Sequence, residues 1–192
     1  GEFLAGRAFA KQTWAKGLDA KGRPIRLPDT EPTKEGRLLY PGLHGGTNWP
    51  SPSYSPLTKL FYVAAREEGT IYYKEEVRYQ PGRWFTAGGN RGIPKIEPVG
   101  AIRALRATTG EMAWEFPLRQ PPWAGVMATA GGLVFGGTSE GYVFALDAGS
   151  GKPLWRFPAG GPVFSAPMSF LSDGRQHVAI AAGNALFAFA LE

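Results

Sequence analysis

An all-β chain built from repeated short strands is what this sequence predicts, on three observations. Glycine and proline number 27 and 17 among 192 residues, which suits many short strands joined by tight turns better than it suits helices. Apolar positions alternate in short runs such as "YVFAL", each running into a Gly-containing turn such as "DAGSGK". One segment also recurs: "GAIRALRATTGEMAWEFP" (100–117) aligns with "GYVFALDAGSGKPLWRFP" (141–158) at an offset of 41, with eight identities in eighteen positions.

Residues 1–58 are the least regular part. The stretch "LDAKGRPIRLPDTEPTKEGRLLYPGLHGGTNWPSPSYSP" carries turn signals throughout and predicts a long ordered excursion of the kind that often carries function. Within it, Gly45 and Gly46 admit backbone conformations closed to other residues and let another backbone or a flat ligand come close. Pro50, Pro52 and Pro56 fix the local φ and remove donors, so Asn48 and Trp49 sit on a stiff mount. A strand is expected near 60–65. Residues 66–99 form a second irregular stretch, in which Glu67, Glu68, Glu75 and Glu76 alternate with basic residues as on a solvated face.

From residue 100 the repeat reads strand, turn, strand, with further strands expected near 132–136, 142–147, 154–157 and 176–182. A third, shortened copy opens at "GNALFAFALE" (183–192). Four strands every ~40 to 45 residues is the period of β-propeller blades, whereas helical repeats of similar period need long amphipathic helices with little Gly or Pro. The expectation is one partial β-propeller domain of four-stranded blades over 1–192, with the excursion at 1–58 and blades over 59–192. Trp114 and Trp155 occupy equivalent positions after the repeated turn and are expected to pack between adjacent sheets.

The formal charge of +5 is spread rather than clustered, as in "AKGLDAKGRPIR" and "REEGTIYYKEEVRY", and no nucleic-acid-binding signature accompanies it. With no cysteine there is no disulfide, thiolate metal site, thiol nucleophile or CxxCH haem attachment. His44 and His177 are the only histidines, so a multi-histidine metal site is excluded. His177 reads as a surface strand residue, and a lone histidine such as His44 is most often structural or solvated. No GxSxG elbow, HExxH, Walker loop or GxGxxG opening a helix occurs. No apolar run approaches the ~20 residues that span a bilayer, and the first residues lack a signal peptide's pattern. The start "GEFLAGRAFAKQTW" also lacks a methionine, which suggests a chain that begins inside a longer one. What remains unexplained is the Gly-Gly-Thr-Asn-Trp loop and Trp123, which falls outside the repeated W-x-F-P position.

In their order, "DAKGRPI", "YPGLHGGTNWPSPSYSP", "LFYV", "GAIRALRATTGEMAWEF" and "WAGVMATAGGLVFGGTSEGYVFALDAGSGKPLW" resemble the C-terminal part of the pyrroloquinoline-quinone-dependent (quinoprotein) alcohol dehydrogenases. The resemblance covers nearly the whole chain. It implies about three blades of an eight-bladed propeller, a pyrroloquinoline quinone cofactor at the axis, a bound calcium ion, and a periplasmic or outer-surface location. It also implies oxidation of primary alcohols or similar hydroxyl compounds, with electrons passed to a separate acceptor, a cytochrome or a quinone. Carried over by position, Asn48 matches an asparagine whose amide reaches the quinone's polar edge, with Trp49 beside it, and Trp123 matches a tryptophan lining the cofactor pocket. No catalytic residue and no metal ligand carries over. The family's aspartate base, calcium ligands, adjacent-cysteine ring and basic residue over the quinone would all lie before residue 1, so the fragment alone is expected to be inactive. The end "AAGNALFAFALE" lacks the Gly-Gly-Trp that many members carry, so Asn184 is not assigned a cofactor contact. The competing expectation is a non-catalytic propeller scaffold resembling the outer-membrane assembly lipoproteins that share these blade repeats. The Asn48 loop and Trp123 favour the enzyme, because a plain scaffold does not require them.

Overall fold

The computed structural model describes residues 1–190; Leu191 and Glu192, which end the third repeat copy, lie outside the described residues. Every regular element described is a strand, and among the described residues no helix is long and apolar enough to cross a membrane. In the N-terminal excursion β1 (Ala15–Leu18) and β2 (Pro24–Arg26) form a small antiparallel ribbon, and β3 (Arg37–Leu39) follows. Then come β4 (Ser53–Ser55), β5 (Leu60–Glu67), β6 (Thr70–Lys74), β7 (Gly88–Arg91), β8 (Val99–Arg106) and β9 (Met112–Leu118). The sheet β4-β5-β8-β9 is the first blade, while β3, β6 and β7 make a three-stranded sheet beside it.

The second blade is β10 (Met127–Ala128), β11 (Leu133–Gly137), β12 (Tyr142–Asp147) and β13 (Pro153–Pro158), in that order across the sheet. The third contains β14 (Met168–Ser172), β15 (Arg175–Ala182) and β16 (Ala185–Ala190). All these neighbours pair antiparallel.

The sequence repeat is a structural repeat down to single residues. A bulge falls between Ala104 and Leu105 in the first blade and between Ala145 and Leu146 in the second, 41 positions on. The turns match too: the Gly110 amide donates to the Arg106 carbonyl and the Gly151 amide to the Asp147 carbonyl, both at 2.8 Å. Gly110 and Gly151 have φ of 70° and 72°, the left-handed region in which glycine avoids the Cβ penalty. In the second turn Asp147 accepts from the Ser150 amide and hydroxyl at 2.8 and 2.6 Å. These bonds give the aspartate its place in a sequence rule about turns.

Two apolar layers hold the blades together. The first joins Leu60, Tyr62, Ile102, Trp114 and Leu118 of the first blade to Val134, Phe144 and Leu146 of the second. The second joins Val143 and Phe157 to Val163, Ile180, Phe187 and Phe189. Ala148 sits at the first seam, where its carbonyl accepts from both the Tyr62 hydroxyl and the Trp114 indole N–H, each at 3.0 Å.

Trp155 departs from the expectation of equal burial. Trp114 is 9% exposed, but Trp155 is 37% exposed. Trp114 is roofed by the next blade's turn, where a Cβ on Gly151 would lie 2.5 Å from its ring. Trp155 instead meets Phe189 of the third blade edge-on at 4.9 Å and Phe157 of its own strand at 6.1 Å.

Candidate functional site

β5 is buried on both faces because it is a central strand of the first blade, and its burial runs on through Arg66, the seventh residue of the strand. Arg66 is 3% exposed. Its amide donates to the Gly46 carbonyl at 2.8 Å, which fastens the end of β5 to the Gly-Gly-Thr-Asn-Trp loop. The glycines permit this: Gly45 has φ of 74°, and a Cβ on Gly46 would sit 2.9 Å from that of Ala10. The close approach is by the protein's own chain. A second fastening joins the loop to the segment around Trp123, since the Val126 amide donates to the Ser51 carbonyl at 2.9 Å.

These two fastenings bring sequence-distant aromatic rings together. Trp49 stacks on Trp123 with centroids 5.2 Å apart and planes at 30°, and the His44 ring meets Trp123 edge-on at 5.1 Å. The Arg66 guanidinium lies over the Trp123 ring, its Cζ 4.0 Å from the centroid, and Nη1 donates to the Pro122 carbonyl at 2.9 Å. Trp49 itself is 65% exposed, so the pair presents indole surface to solvent.

Asn48 is exposed on the same loop, and its Nδ2 donates to the His44 carbonyl at 3.3 Å. One donor of the amide thus closes the loop on itself. An amide has two donors and an acceptor oxygen, so capacity remains for a ligand. Thr47 Oγ1 next door is buried with no hydrogen-bond partner among the described residues.

Two glutamates expected on a solvated face are instead part of this architecture. Glu68 binds Arg66 Nη2 at 2.8 Å and His44 Nδ1 at 3.2 Å. Glu67 accepts from Arg103 Nη1 at 2.6 Å and from the Lys11 amide at 3.0 Å. Glu67 ends the doubly buried strand β5 and Glu68 follows it, and alternation of charge in the sequence does not reveal that. Glu75 and Glu76 are exposed, as expected. Burial pushes the Glu68 carboxyl up, but hydrogen bonds and charges from Arg66 and His44 outweigh it and hold it below the usual carboxylate range. His44 is therefore a polar partner of Glu68 at the loop's base, and His177, stacked on Phe170 at 5.1 Å, is a strand residue of the third blade. Among the described residues no group of three or more His, Asp or Glu is placed to hold a metal ion.

A sequence profile described as outer membrane protein assembly factor BamB matches residues 99–192, which takes in the repeats but not the Asn48 loop. Individual relatives extend across both. A quinoprotein ethanol dehydrogenase of Pseudomonas aeruginosa is 41% identical over 182 residues, covering 89% of this chain and 29% of its own length. A 1-butanol dehydrogenase (quinone) of Thauera butanivorans is 41% identical over 181 residues, with the same coverage of each chain. The crystal structure of quinohemoprotein alcohol dehydrogenase from Comamonas testosteroni superposes with a TM-score of 0.86 at 31% identity, over 95% of this chain and 29% of that one. The chain thus spans under a third of the relatives it matches. Similarity across that span, in sequence and in fold, makes it a homologue of the quinoprotein alcohol dehydrogenases.

Proposed function

We propose that this chain supplies one wall of a pyrroloquinoline quinone pocket in a dehydrogenase that oxidises primary alcohols or similar hydroxyl compounds. The observation that carries the reading is the Asn48 loop folded against the Trp49–Trp123 pair, a half-used amide beside exposed flat rings. A planar, anionic orthoquinone asks for such donors at its rim and aromatic surface beside its face. Asn48 would hold the polar edge and Trp49 and Trp123 the ring. When bound, the quinone supplies the two-electron acceptance that alcohol oxidation requires.

The metal is proposed to be calcium. The solved structure of a europium-containing methanol dehydrogenase, similar to this chain with a TM-score of 0.79 at 31% identity, makes a lanthanide the alternative to test. Metal ligands and the base that takes the alcohol's proton would come from sheets outside these residues, in a periplasmic protein that hands electrons to a separate cytochrome or quinone. A scaffold of the assembly-factor type accounts for the blade repeats but leaves the Asn48 loop and Trp123 without a role.

Fluorescence titration of the chain with pyrroloquinoline quinone tests the reading. Asn48→Ala should weaken binding roughly tenfold, as loss of one hydrogen bond to a charged group does, and Glu75→Ala should leave it unchanged. Equal binding by Asn48→Ala and the unaltered chain would reduce the loop to a structural role. With quinone, calcium and a dye acceptor added, these 192 residues alone should not oxidise ethanol, because the proposed base lies outside them.

A further inference from the structure

We infer that Arg66 is a positioning residue of this pocket: its buried guanidinium sets the orientation of Trp123 and, through Glu68, anchors the His44 end of the Asn48 loop. The inference rests on the quinone reading of Asn48 and Trp123 and adds a residue that reading does not use.

A buried cation is costly to desolvate and persists only where its contacts compensate. Every described side-chain contact of Arg66 belongs to the pocket wall. Nη1 holds the carbonyl of Pro122, the residue before Trp123. Nη2 holds Glu68, which holds His44. The guanidinium Cζ lies over the Trp123 ring, and the backbone amide holds Gly46, two residues before Asn48. Nε, by contrast, is buried with no hydrogen-bond partner among the described residues. A side chain placed only to satisfy hydrogen bonds would not leave that donor orphaned. The observed placement favours coverage of the ring at 4.0 Å over a full set of bonds.

Trp123's other aromatic neighbours cannot fix it. Trp49 is largely exposed and His44 is partly so, whereas Arg66 is buried at the end of a central strand. The rigid partner therefore sets the ring, and the exposed indole of Trp49 stacks on a surface already placed. Lysine cannot substitute, because its point charge lacks the flat fork that stacks on the ring and bonds two acceptors at once.

The test reads the Trp49–Trp123 pair directly. Two stacked indoles give an exciton couplet in circular dichroism, assigned by its disappearance in Trp49→Leu. Arg66→Lys should lose the couplet and bind pyrroloquinoline quinone about tenfold more weakly, the order expected when a desolvated cation–π contact no longer holds the ring. Asn48→Ala should weaken quinone binding with the couplet intact. A couplet preserved in folded Arg66→Lys overturns the inference, as does rescue of both signals by the lysine, which keeps the charge. Should Arg66→Lys fail to fold, Glu68→Gln decides, since it removes one anchor of the guanidinium: a diminished couplet supports the inference and an unchanged one overturns it. Absence of quinone binding by the unaltered chain would sink the pocket reading alone, because the couplet still reports whether Arg66 places Trp123.

Discussion

Trp114→Ala and Trp155→Ala remove the same side chain from the same position of the repeat, yet they should differ in cost by a factor of about two. A tryptophan buries about 150–250 Å², which at about 25 cal/mol per Å² is worth roughly 4–6 kcal/mol. Trp114 is 9% exposed, so nearly all of that is realised. Its indole N–H also donates to the Ala148 carbonyl, a bond worth about 1 kcal/mol net. That carbonyl keeps the Tyr62 hydroxyl when the indole is gone, so no orphan acceptor adds to the loss. Allowing for a compact unfolded chain, which lowers area-based figures, Trp114→Ala should cost about 4 kcal/mol, within the usual range for such truncations. Trp155 is 37% exposed, no indole hydrogen bond of its own is described, and water can fill the space it vacates. Its loss should be about 2 kcal/mol, from its contacts with Phe157 and Phe189. Urea unfolding followed by circular dichroism measures both. Equal losses would refute the argument that the seam at Ala148 and Gly151 gives Trp114 its weight.

Two further outcomes follow from ion pairs outside the aromatic cluster or at its base. Arg103 binds Glu67, Glu115 and the Phe9 carbonyl, so Arg103→Met should release the segment around residues 7–11 and speed its amide hydrogen exchange, with little change at β12; unchanged exchange at Phe9 and Lys11 would show that the segment is held otherwise. Glu68 has its carboxyl held below the unfolded value of 4.5, so its stabilisation is present above that value and is lost as pH falls through the depressed folded one. Glu68→Gln should therefore show a shallower fall of stability on acidification below about pH 4.5 than the unaltered chain, and an identical acid limb would remove Glu68 from the account.

The sequence by itself determined the repeat, and with it the blades. Alternating apolar residues, a glycine that must take a left-handed turn and a tryptophan after it are local requirements, so the 41-residue offset carried the bulge and the turn bonds with it. It also marked Asn48, Trp49 and Trp123 as residues the blade pattern did not need. Only the tertiary structure placed those rings against one another, because the bonds that join their segments run from Arg66 to Gly46 and from Val126 to Ser51. It alone separated Trp114 from Trp155, whose sequence contexts are equivalent and whose roofs are not. Arg66, Glu67 and Glu68 were the least legible. A charged residue reads as solvated unless its strand is known to be buried on both faces, and that depends on sheets contributed from elsewhere in the chain.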